Sequence, residues 1–449
     1  MNRPQSRVVR FRQGMRQFFR WFMPGLGIKR WLLLILAGIT LLGVGLAIFL
    51  LDLYRTDSAN PVLLDFLSIA SLRFLPRLIR VLIFGSVGVG MIAIGILELN
   101  RALLKPFLQP GSIVVDQVAG YRRRERGPRV VAIGGGHGLA TLLRGLKEHT
   151  HYLTAVVTVA DDGGSSGKLR ESYGILPPGD IRNCLAALSS DETMLTQLFQ
   201  YRFSGAEGLD GHSFGNLFIT ALSEITGSFE EAVAESGRVL SVHGRVLPST
   251  LHDVRLVADM QLPNVLNQVR VEGESRIPKI TGRVRRLWLE PNNAPAFPPV
   301  IQAILNANIV VIGPGSLYTS LLPNLLVSDL LAALHVSRAI KIYICNIATQ
   351  AGETEAYSCF DHVRALEEHA GEDLFDVIVC NDNFQGHLPD DVQWVKMDDR
   401  TLADSRTYCA DLTDKEHPWR HDSLTLAQVI MDLYFARTGP LTEQVFGDS

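Results

Sequence analysis

The sequence lacks the cysteine spacings that mark a zinc site. Its cysteines are five in number, scattered, and include no CxxC pair. An odd set without such a pair argues against a structural metal and favours ordinary core residues. We therefore expect reduced, mostly buried thiols and no zinc site at Cys184, Cys345, Cys359, Cys380 and Cys409.

The larger part of the chain is short of basic charge. Residues 130–449 carry 24 Lys and Arg against 40 Asp and Glu, whereas residues 1–129 carry 19 against 6. Neutralising nucleic-acid phosphate needs a basic surface, so nucleic acid is excluded as a partner of the acidic part.

The whole chain has 449 residues, 47% of them hydrophobic, which is too long for one ordinary core. We expect two or more structural units.

Two stretches near the N-terminus lack charge at their centres. Residues 31–51 contain none, and residues 81–97 are bounded by Arg80 and Glu98. About 20 apolar residues cross the hydrocarbon core, and the length of the first stretch disfavours a cleaved signal peptide. The missing intramembrane charges disfavour a transporter. We predict a tethering two-helix transmembrane hairpin at 31–100, in contact with membrane lipid.

Positive charge flanks this hairpin and predicts its orientation. Residues 1–30 hold eight Lys and Arg and residues 100–129 hold seven, while the connecting loop 52–78 holds only three. The positive-inside rule places both ends in the cytoplasm, so we expect an inner-membrane protein. The basic tail could also bind anionic lipid, or only set topology. The predicted parts are a tail 1–30, a hairpin 31–100, a basic linker 101–128 and a cytosolic domain 129–449.

The cytosolic domain opens with a strand, a glycine turn and a helix. Val130 to Ile133 is a short apolar strand, and Ala140 to Lys147 has helical spacing. Glycines let a backbone turn tightly beside a phosphate, which the amides of a helix start attract. A purely structural turn stays open as the alternative, because Leu139 replaces the third glycine of the dinucleotide motif. The candidate ligand residues here are Gly134, Gly135, Gly136, His137, Gly138 and Leu139.

A second buried strand, Leu153 to Val159, runs into two acids and a Gly/Ser loop. In an open parallel sheet, ligands bind at this carboxyl edge. An acid ending the second strand accepts hydrogen bonds from a ribose or holds a cation, so Asp161 or Asp162 could hold Mg²⁺. A flexible surface turn is the alternative. The candidates are Asp161, Asp162, Gly163, Gly164, Ser165 and Ser166.

Three further segments, together with Arg420 just before the last helix, carry polar residues at helix starts. In the first, Asp180 follows a Pro-Pro-Gly turn and is predicted to be a helix N-cap. In the last, a strand from Ile309 to Ile312 meets another glycine turn and helix, which offers a second anion-binding edge. Capping or solvent exposure remains the alternative for each side chain. The candidates are Asp180, Asn183, His212, Asn216, Gly313, Pro314, Gly315, Ser316, Thr319 and Arg420.

The order of these elements predicts the fold class. Alternating strands and helices, with later strands at Lys341 to Asn346 and Asp376 to Asn381, indicate a Rossmann-like, doubly wound, mostly parallel α/β sheet. Residues 245–291 alternate apolar and polar residues instead. That pattern predicts a small antiparallel β insert or an extension of the sheet edge.

Seven long motifs carry a resemblance to a known family. GGGHGL, DDGGSSGKLR, PPGDIRNCL, GHSFGNL, LPSTLHDVRL, GPGSLYTSLLPNLLV and ATQAGETEAYS resemble, in that order, the gluconeogenesis factor family, which is related to 2-phospho-L-lactate transferase. The resemblance covers roughly residues 129–436 and implies a three-layer Rossmann-like domain. It also implies binding of a nucleotide sugar, above all UDP-N-acetylglucosamine, or of a dinucleotide. His137 departs from the family, which usually has Thr there, and most members lack the hairpin.

These observations leave two main functional hypotheses. The first is a non-catalytic, nucleotide-sugar-binding regulator of cell shape and envelope synthesis during gluconeogenic growth. It would work beside envelope-synthesis proteins, and self-association stays open. The second is a Mg²⁺-dependent transferase acting on a nucleotide diphosphate-activated phospho-compound. No Ser–His–Asp order or reactive cysteine is evident, so we assign no catalytic residue; a scaffold with a vestigial site is a third reading.

Overall fold

The structure is a computed structural model that describes residues 114–189, 194–205, 208–263 and 267–439, with a few isolated positions between 39 and 79. The chain separates into two compact units, Met1–Arg122 and Arg123–Ser449, and the fold below is that of the second. The predicted tail and almost all of the predicted hairpin lie outside the described residues. Within the described part, no single helix is long and apolar enough to span a bilayer.

The described part is an alternating series of strands and helices. The strands are β1 (Val130–Gly134), β2 (Leu153–Val157), β3 (Arg245–Pro248), β4 (Arg255–Gln261), β5 (Val269–Glu272), β6 (Arg283–Glu290), β7 (Ile309–Ile312), β8 (Ile340–Ile344), β9 (Val377–Asn381) and β10 (Thr407–Ala410). The first helices are α1 (Val114–Glu125), α2 (Gly136–Leu146), α3 (Gly164–Tyr173), α4 (Gly179–Leu188), α5 (Met194–Gln200), α6 (Phe214–Thr226) and α7 (Phe229–Val239). The later helices are α8 (Pro298–Leu305), α9 (Leu322–Leu325), α10 (Ser328–Val336), α11 (Cys359–Ala370), α12 (Asp399–Ala403) and α13 (Ser423–Thr438).

Among the described residues, seven parallel strands form the main sheet in the order β10-β9-β8-β7-β1-β2-β3. The chain builds outward from β1 through β2 to β3, then returns to β7 on the other side of β1. Right-handed crossovers therefore put α2 on one face and α10 and α11 on the other. The predicted mostly parallel, doubly wound sheet is confirmed, with its switch point between β1 and β7.

The central strands are apolar because both faces of the sheet are covered. All residues of β1, β2 and β7 are buried. Leu139, Leu142 and Leu146 of α2 are fully buried at the spacing of one helix face. The sheet therefore forms a rigid platform, and the polar loops leave it at the carboxyl ends of its strands.

The antiparallel insert exists, but it is narrower than predicted. Strands β4, β5 and β6 form a separate antiparallel sheet, whereas Arg245–Pro248 pairs in parallel with β2 and belongs to the main sheet. Four alternating residues cannot reveal which neighbour a strand will choose. The edge strand Thr407–Ala410 has no strand signal in the sequence, because it is half exposed and lacks an apolar run.

The cysteines also depart from expectation. Cys359 and Cys380 are joined by a disulfide, so the prediction of reduced thiols is wrong for this pair. Cys184 and Cys345 are buried free thiols, while Cys409 is exposed. The sequence does not predict this pairing, because the two cysteines are 21 residues apart and only the packing of α11 beside β9 brings their side chains together.

Candidate functional site

A cavity of about 330 Å³ lies at the carboxyl ends of β7, β1 and β2, the place where open α/β sheets bind ligands. Three loops that are far apart in sequence contribute to it: residues 135–138, Asp161, and the turn at 315–316. Its lining residues are Gly135, Gly136, His137, Gly138, Thr158, Asp161, Asp180, Glu274, Gly315, Ser316, Thr319 and Ser320.

The first glycine loop forms the floor of this cavity. Helix α2 begins at Gly136, so the free amides of its first turn face the cavity. A Cβ on Gly138 would lie 2.5 Å from the carbonyl oxygen of Pro314, which means that the two glycine turns pack backbone against backbone. A Cβ on Gly135 would lie 2.6 Å from Asp180 Oδ2. Glycine is thus required here by close approach.

His137 sits at the basic side of the cavity. Burial lowers its pKa, and the guanidinium groups of Arg420, Arg182 and Arg144 lower it further. The imidazole is therefore neutral at physiological pH, and three arginines supply positive potential around it. Arg420, from a distant part of the sequence, is close enough to act on the pKa of His137 although it does not line the cavity.

The opposite side of the cavity is acidic. Burial, followed by the neighbouring Asp161, raises the pKa of Asp180 to about 6. Burial and the charges of Asp161, Asp162 and Asp180 raise the pKa of Glu274 to about 8. Burial also raises the pKa of Asp161, although that carboxylate accepts hydrogen bonds from Gly163 N and the Ser166 side chain. Converging carboxylates of this kind repel one another unless they share protons or a cation.

Asp180 is not the helix cap that the sequence predicted. Helix α4 begins at Gly179, and its N-cap, Pro178, makes no side-chain hydrogen bond. The Asp180 carboxylate instead accepts a hydrogen bond from the backbone amide of Gly136. The physical reason is tertiary: α4 is packed so that its first turn faces the glycine loop, which offers a free amide.

Asp162 does not line the cavity, and its carboxylate binds the antiparallel insert instead. Its Oδ1 accepts a hydrogen bond from Ser275 N at 2.8 Å, and Gly273 packs close to Oδ2. This contact holds the turn between β5 and β6 over the cavity and places Glu274 there. Glu274 was missed by sequence reasoning, because it belongs to an insert whose position relative to the parallel sheet has no local signal.

Ser165, His212 and Asn216 form a buried polar network beside the cavity. Ser165 Oγ lies 3.0 Å from His212 Nδ1 and accepts a hydrogen bond from Asn216 Nδ2 at 3.0 Å. Burial, then Lys168 and Arg202, lowers the pKa of His212. No carboxylate partner of His212 is evident in the described part of the chain, so the network orients the Gly/Ser loop and shows no triad.

The second glycine turn is held from within the protein. Asn346 clamps Gly315 through Oδ1, which accepts from Gly315 N at 3.2 Å, and Nδ2, which donates to Gly315 O at 2.8 Å. Glu353 accepts hydrogen bonds from Tyr318 N at 3.0 Å and from Thr319 Oγ1 at 2.7 Å. A carboxylate of the chain itself therefore takes the helix start where the sequence predicted a second anion edge. The motif ATQAGETEAYS contains Glu353, but the spacing of residues in the motif does not predict this contact.

The remaining candidates fall into two groups. Gly163 and Gly164 begin helix α3, and Ser166 Oγ accepts a hydrogen bond from Gly179 N at 3.1 Å, so these residues shape the rim. Asn183 accepts a hydrogen bond from Arg182 Nη2 at 2.8 Å and does not line the cavity. The other predicted residues outside the lining are Gly134, Leu139, Gly163, Gly164, Ser165, Ser166, His212, Asn216, Gly313, Pro314 and Arg420. Thr158 and Ser320 line it and were not predicted.

A larger hollow of about 550 Å³ lies elsewhere on the molecule, beside Tyr357, Trp394 and Met397. It is more open, and among the described residues neither a glycine turn nor a free helix start lines it. The smaller cavity joins helix amides, arginines and carboxylates, so we take it as the candidate ligand site.

Comparison with known proteins agrees with this geometry. Residues 130–415, more than half of the chain, match the family described as 2-phospho-L-lactate transferase CofD. The chain belongs to the CofD family. The matched range contains every cavity-lining residue and ends just before Arg420.

Individual relatives of this CofD-family chain are also similar over most of their length. A protein of Nostoc sp. (strain PCC 7120) is 49% identical over 378 residues, covering 81% of this chain and 79% of the relative. The gluconeogenesis factor of Bacillus subtilis is 47% identical over 266 residues, covering 59% of this chain and 81% of that protein. The crystal structure of a UPF0052-family protein from Bacillus halodurans has a TM-score of 0.63 at 39% identity, covering 68% of this chain and 99% of that one. The resemblance to the gluconeogenesis factor group is confirmed.

Proposed function

We propose that the chain binds a nucleoside-diphosphate sugar of the UDP-N-acetylglucosamine type and regulates cell shape and envelope synthesis during gluconeogenic growth. The proposal is based on one observation: a single cavity has positive potential on one side and carboxylates on the other. His137 lies in the first turn of α2, where the charges of Arg420, Arg182 and Arg144 lower its pKa, while Asp161, Asp180 and Glu274 line the same cavity. A diphosphate fits the first side, and sugar hydroxyls or a cation fit the second.

A divalent cation would reconcile an anionic ligand with an acidic wall. Mg²⁺ binds through one or two carboxylates together with ligand phosphates. Asp161 and Asp180 line the cavity side by side and have the oxygen donors this ion prefers, so they fit it better than Asp162, which holds Ser275. When bound, the ion would neutralise charge on the diphosphate.

A binding protein is favoured over an enzyme by the state of the polar groups. Burial and the charges of three arginines lower the pKa of His137, and His212 lies against Ser165 with no acidic partner among the described residues. The described groups therefore offer good orientation and charge compensation and no activated nucleophile. Regulation by ligand occupancy is the simplest use of such a site.

Membrane attachment is a separate proposal, and it is based on the sequence alone. Residues 31–100 would anchor the domain to the inner membrane, where envelope precursors are consumed. Fractionation of cells with an alkaline carbonate wash tests it. Retention of the full chain in the membrane pellet is expected, and release into the supernatant would overturn it.

Isothermal titration calorimetry of the full chain in detergent tests ligand binding. UDP-N-acetylglucosamine should bind in the presence of Mg²⁺ and lose at least tenfold in affinity after chelation or in Asp180→Asn, about 1.4 kcal/mol. Asp399→Asn, an exposed acid remote from the cavity lining, is the matched control and should bind normally. Absence of heat at millimolar ligand, with or without Mg²⁺, would refute the proposal.

The family match supports one alternative, a Mg²⁺-dependent transferase acting on a nucleotide diphosphate-activated phospho-compound. In that case the same carboxylates would compensate charge on the diphosphate as the donor bond breaks. Incubation with Mg²⁺ and candidate donors, followed by chromatography of released nucleotide, separates the two functions. Stoichiometric binding without turnover supports the regulator, and steady nucleotide release supports the transferase.

A further inference from the structure

Three of the five cysteines meet at one buried point outside the ligand cavity. The Sγ atoms of Cys345, Cys359 and Cys380 all lie within 4.8 Å of one another, and each residue is at most 1% exposed. Cys359 and Cys380 are bonded, and Cys345 keeps a free thiol. We call these three residues the thiol cluster. Because all three pairs are in reach, the cluster permits more than one disulfide.

The fold, and no local motif, assembles the thiol cluster. Ile344 pairs with Val379 in the parallel ladder, so Cys345, the residue after β8, stands beside Cys380 of β9. Cys359 is the first residue of α11, whose start is fixed by a capping box between Ser358 and Asp361. Each sulfur is therefore held by a rigid element.

The surroundings of the cluster favour disulfide chemistry over metal binding. Burial raises the pKa of Cys345 to about 12. A metal would need several deprotonated thiols, and three buried thiolates would place like charges together in an apolar core. A disulfide or a neutral thiol carries no charge, so both suit this environment. The described residues place no His, Asp or Glu ligand atom in the group.

The thiol cluster is connected to the ligand cavity by neighbouring residues. Asn346, directly after Cys345, makes both hydrogen bonds that hold Gly315 at the cavity edge. The carbonyl oxygen of Cys345 also lies 3.2 Å from Nε2 of His421, the residue after Arg420. A change in how Cys345 is packed would therefore act on two parts of the site.

We propose that the thiol cluster is a reversible redox site, in which the Cys359–Cys380 bond, with Cys345 as alternative partner, sets how firmly the turn at 313–316 is held. Closure removes two protons and two electrons from two thiols and forms one S–S bond. Hydrogen peroxide accepts both protons and both electrons and becomes two water molecules. Reduction by a dithiol reverses the step, and the dithiol itself becomes a disulfide.

Peptide mass spectrometry of the full chain tests the pairing. After peroxide treatment, unfolding and alkylation, the Cys359–Cys380 peptide pair should appear, with Cys184, Cys345 and Cys409 alkylated. In Cys380→Ser the two remaining cluster thiols should pair with each other, because their sulfurs are also within 4.8 Å. Cys409→Ser removes an exposed thiol outside the cluster and should leave the pairing unchanged.

Hydrogen–deuterium exchange of ligand-free protein tests the coupling. Reduction, or Cys359→Ser, should speed exchange in peptides covering 313–316 by about fivefold, while peptides of β4 to β6 stay unchanged. The melting temperature should fall by about 5 °C, since the bond closes a short loop. No nucleotide is present in this assay, so the proposed ligand can be wrong without affecting the result.

Three outcomes would overturn the inference. One is failure of the Cys359–Cys380 pair to form with peroxide or to open with dithiothreitol in the folded protein. Another is oxidation that changes neither exchange at 313–316 nor the melting temperature. The third is a stoichiometric zinc or copper ion in the purified protein that Cys359→Ser releases, which would make the cluster a metal site.

Discussion

The carboxylate of Asp162 accepts a hydrogen bond from the amide of Ser275 at 2.8 Å and so joins two segments 113 residues apart. The contact fixes the turn between β5 and β6 and delivers Glu274 to a cavity formed otherwise by the parallel sheet. One acid of the Asp-Asp pair thus positions the insert, while Asp161 faces the ligand side. The two neighbours have different roles because Asp161 accepts from the amide of Gly163 in its own loop, whereas Asp162 reaches across to the amide of Ser275.

Replacing Asp162 separates positioning from direct binding. Asp162→Ala removes a charge-assisted hydrogen bond worth about 2 kcal/mol, so the Glu274 turn should loosen and nucleotide-sugar affinity should fall about tenfold. Asp162→Asn keeps an acceptor oxygen for Ser275 N and should lose less than about threefold. Calorimetry measures both. Equal, large losses in the two variants would instead show that the charge itself contacts the ligand.

The pH dependence of stability should report Glu274. Its folded pKa of about 8 is above its ordinary 4.5, so its contribution to stability is complete below pH 4.5 and is lost as pH rises toward about 8. Ligand-free protein should become less stable over this range, and Glu274→Gln should flatten the slope. Urea unfolding at several pH values provides the measurement; an unchanged slope would contradict the assignment.

The raised pKa values of the cavity carboxylates also predict a pH-dependent effect of Mg²⁺. A bound cation favours ionised carboxylates, so it must displace a proton from Asp180, one of its two proposed ligands, below about pH 6, and from the neighbouring Glu274 below about pH 8. The rise in melting temperature on adding Mg²⁺ should therefore be larger at pH 8.5 than at pH 6 (roughly the span of the two pKa values). Thermal scans with and without chelator check this, and a pH-independent shift would exclude these acids as the cation site.

Contact between the two glycine turns predicts a steric effect. Gly138→Ala would place a methyl 2.5 Å from Pro314 O and should cost about 2 kcal/mol of unfolding free energy, with loss of ligand binding. Gly237→Ala is the matched control: it lies in the last turn of α7, and the nearest neighbour of its Cβ would be at 3.6 Å. It should stabilise the protein by roughly 0.5–1 kcal/mol. Denaturant titration distinguishes the two.

Replacing Glu353 should leave two buried hydrogen-bond donors without an acceptor. Glu353→Ala leaves Tyr318 N and Thr319 Oγ1 without their carboxylate acceptor, at a cost of about 3 kcal/mol. Glu353→Gln retains one acceptor oxygen, so its cost should be about half as large. Urea unfolding gives both values. A near-neutral Glu353→Ala would show that water replaces the carboxylate without penalty.

Local patterns succeeded where the chain is buried on both sides. The apolar runs at Val130, Leu153 and Ile309 predicted three central strands, because a covered parallel sheet demands continuous hydrophobic residues. Glycine turns before helices also predicted which loops meet at one edge of the sheet. Ser213 caps α6 by accepting a hydrogen bond from Asn216 N, and such capping depends only on neighbouring backbone amides.

Local patterns failed where a side chain serves a distant segment. Asp180 looked like a helix cap and instead binds Gly136, and Thr319, a predicted ligand residue that lines the cavity, donates its hydroxyl hydrogen to Glu353. Neither partner lies within one helical turn of the residue it serves. Such pairings depend on how the elements are packed, and residue spacing does not encode them.

The sequence by itself determined the charge asymmetry, the order of strands and helices, and the glycine turns at their ends, because each depends on nearby residues. Only the tertiary structure decided which acids face the cavity, that Glu274 joins them from the insert, and that Cys345, Cys359 and Cys380 meet. Those outcomes depend on the switch point between β1 and β7 and on the packing of α11 beside β9. Long-range packing creates both, and no local stretch of the chain specifies it.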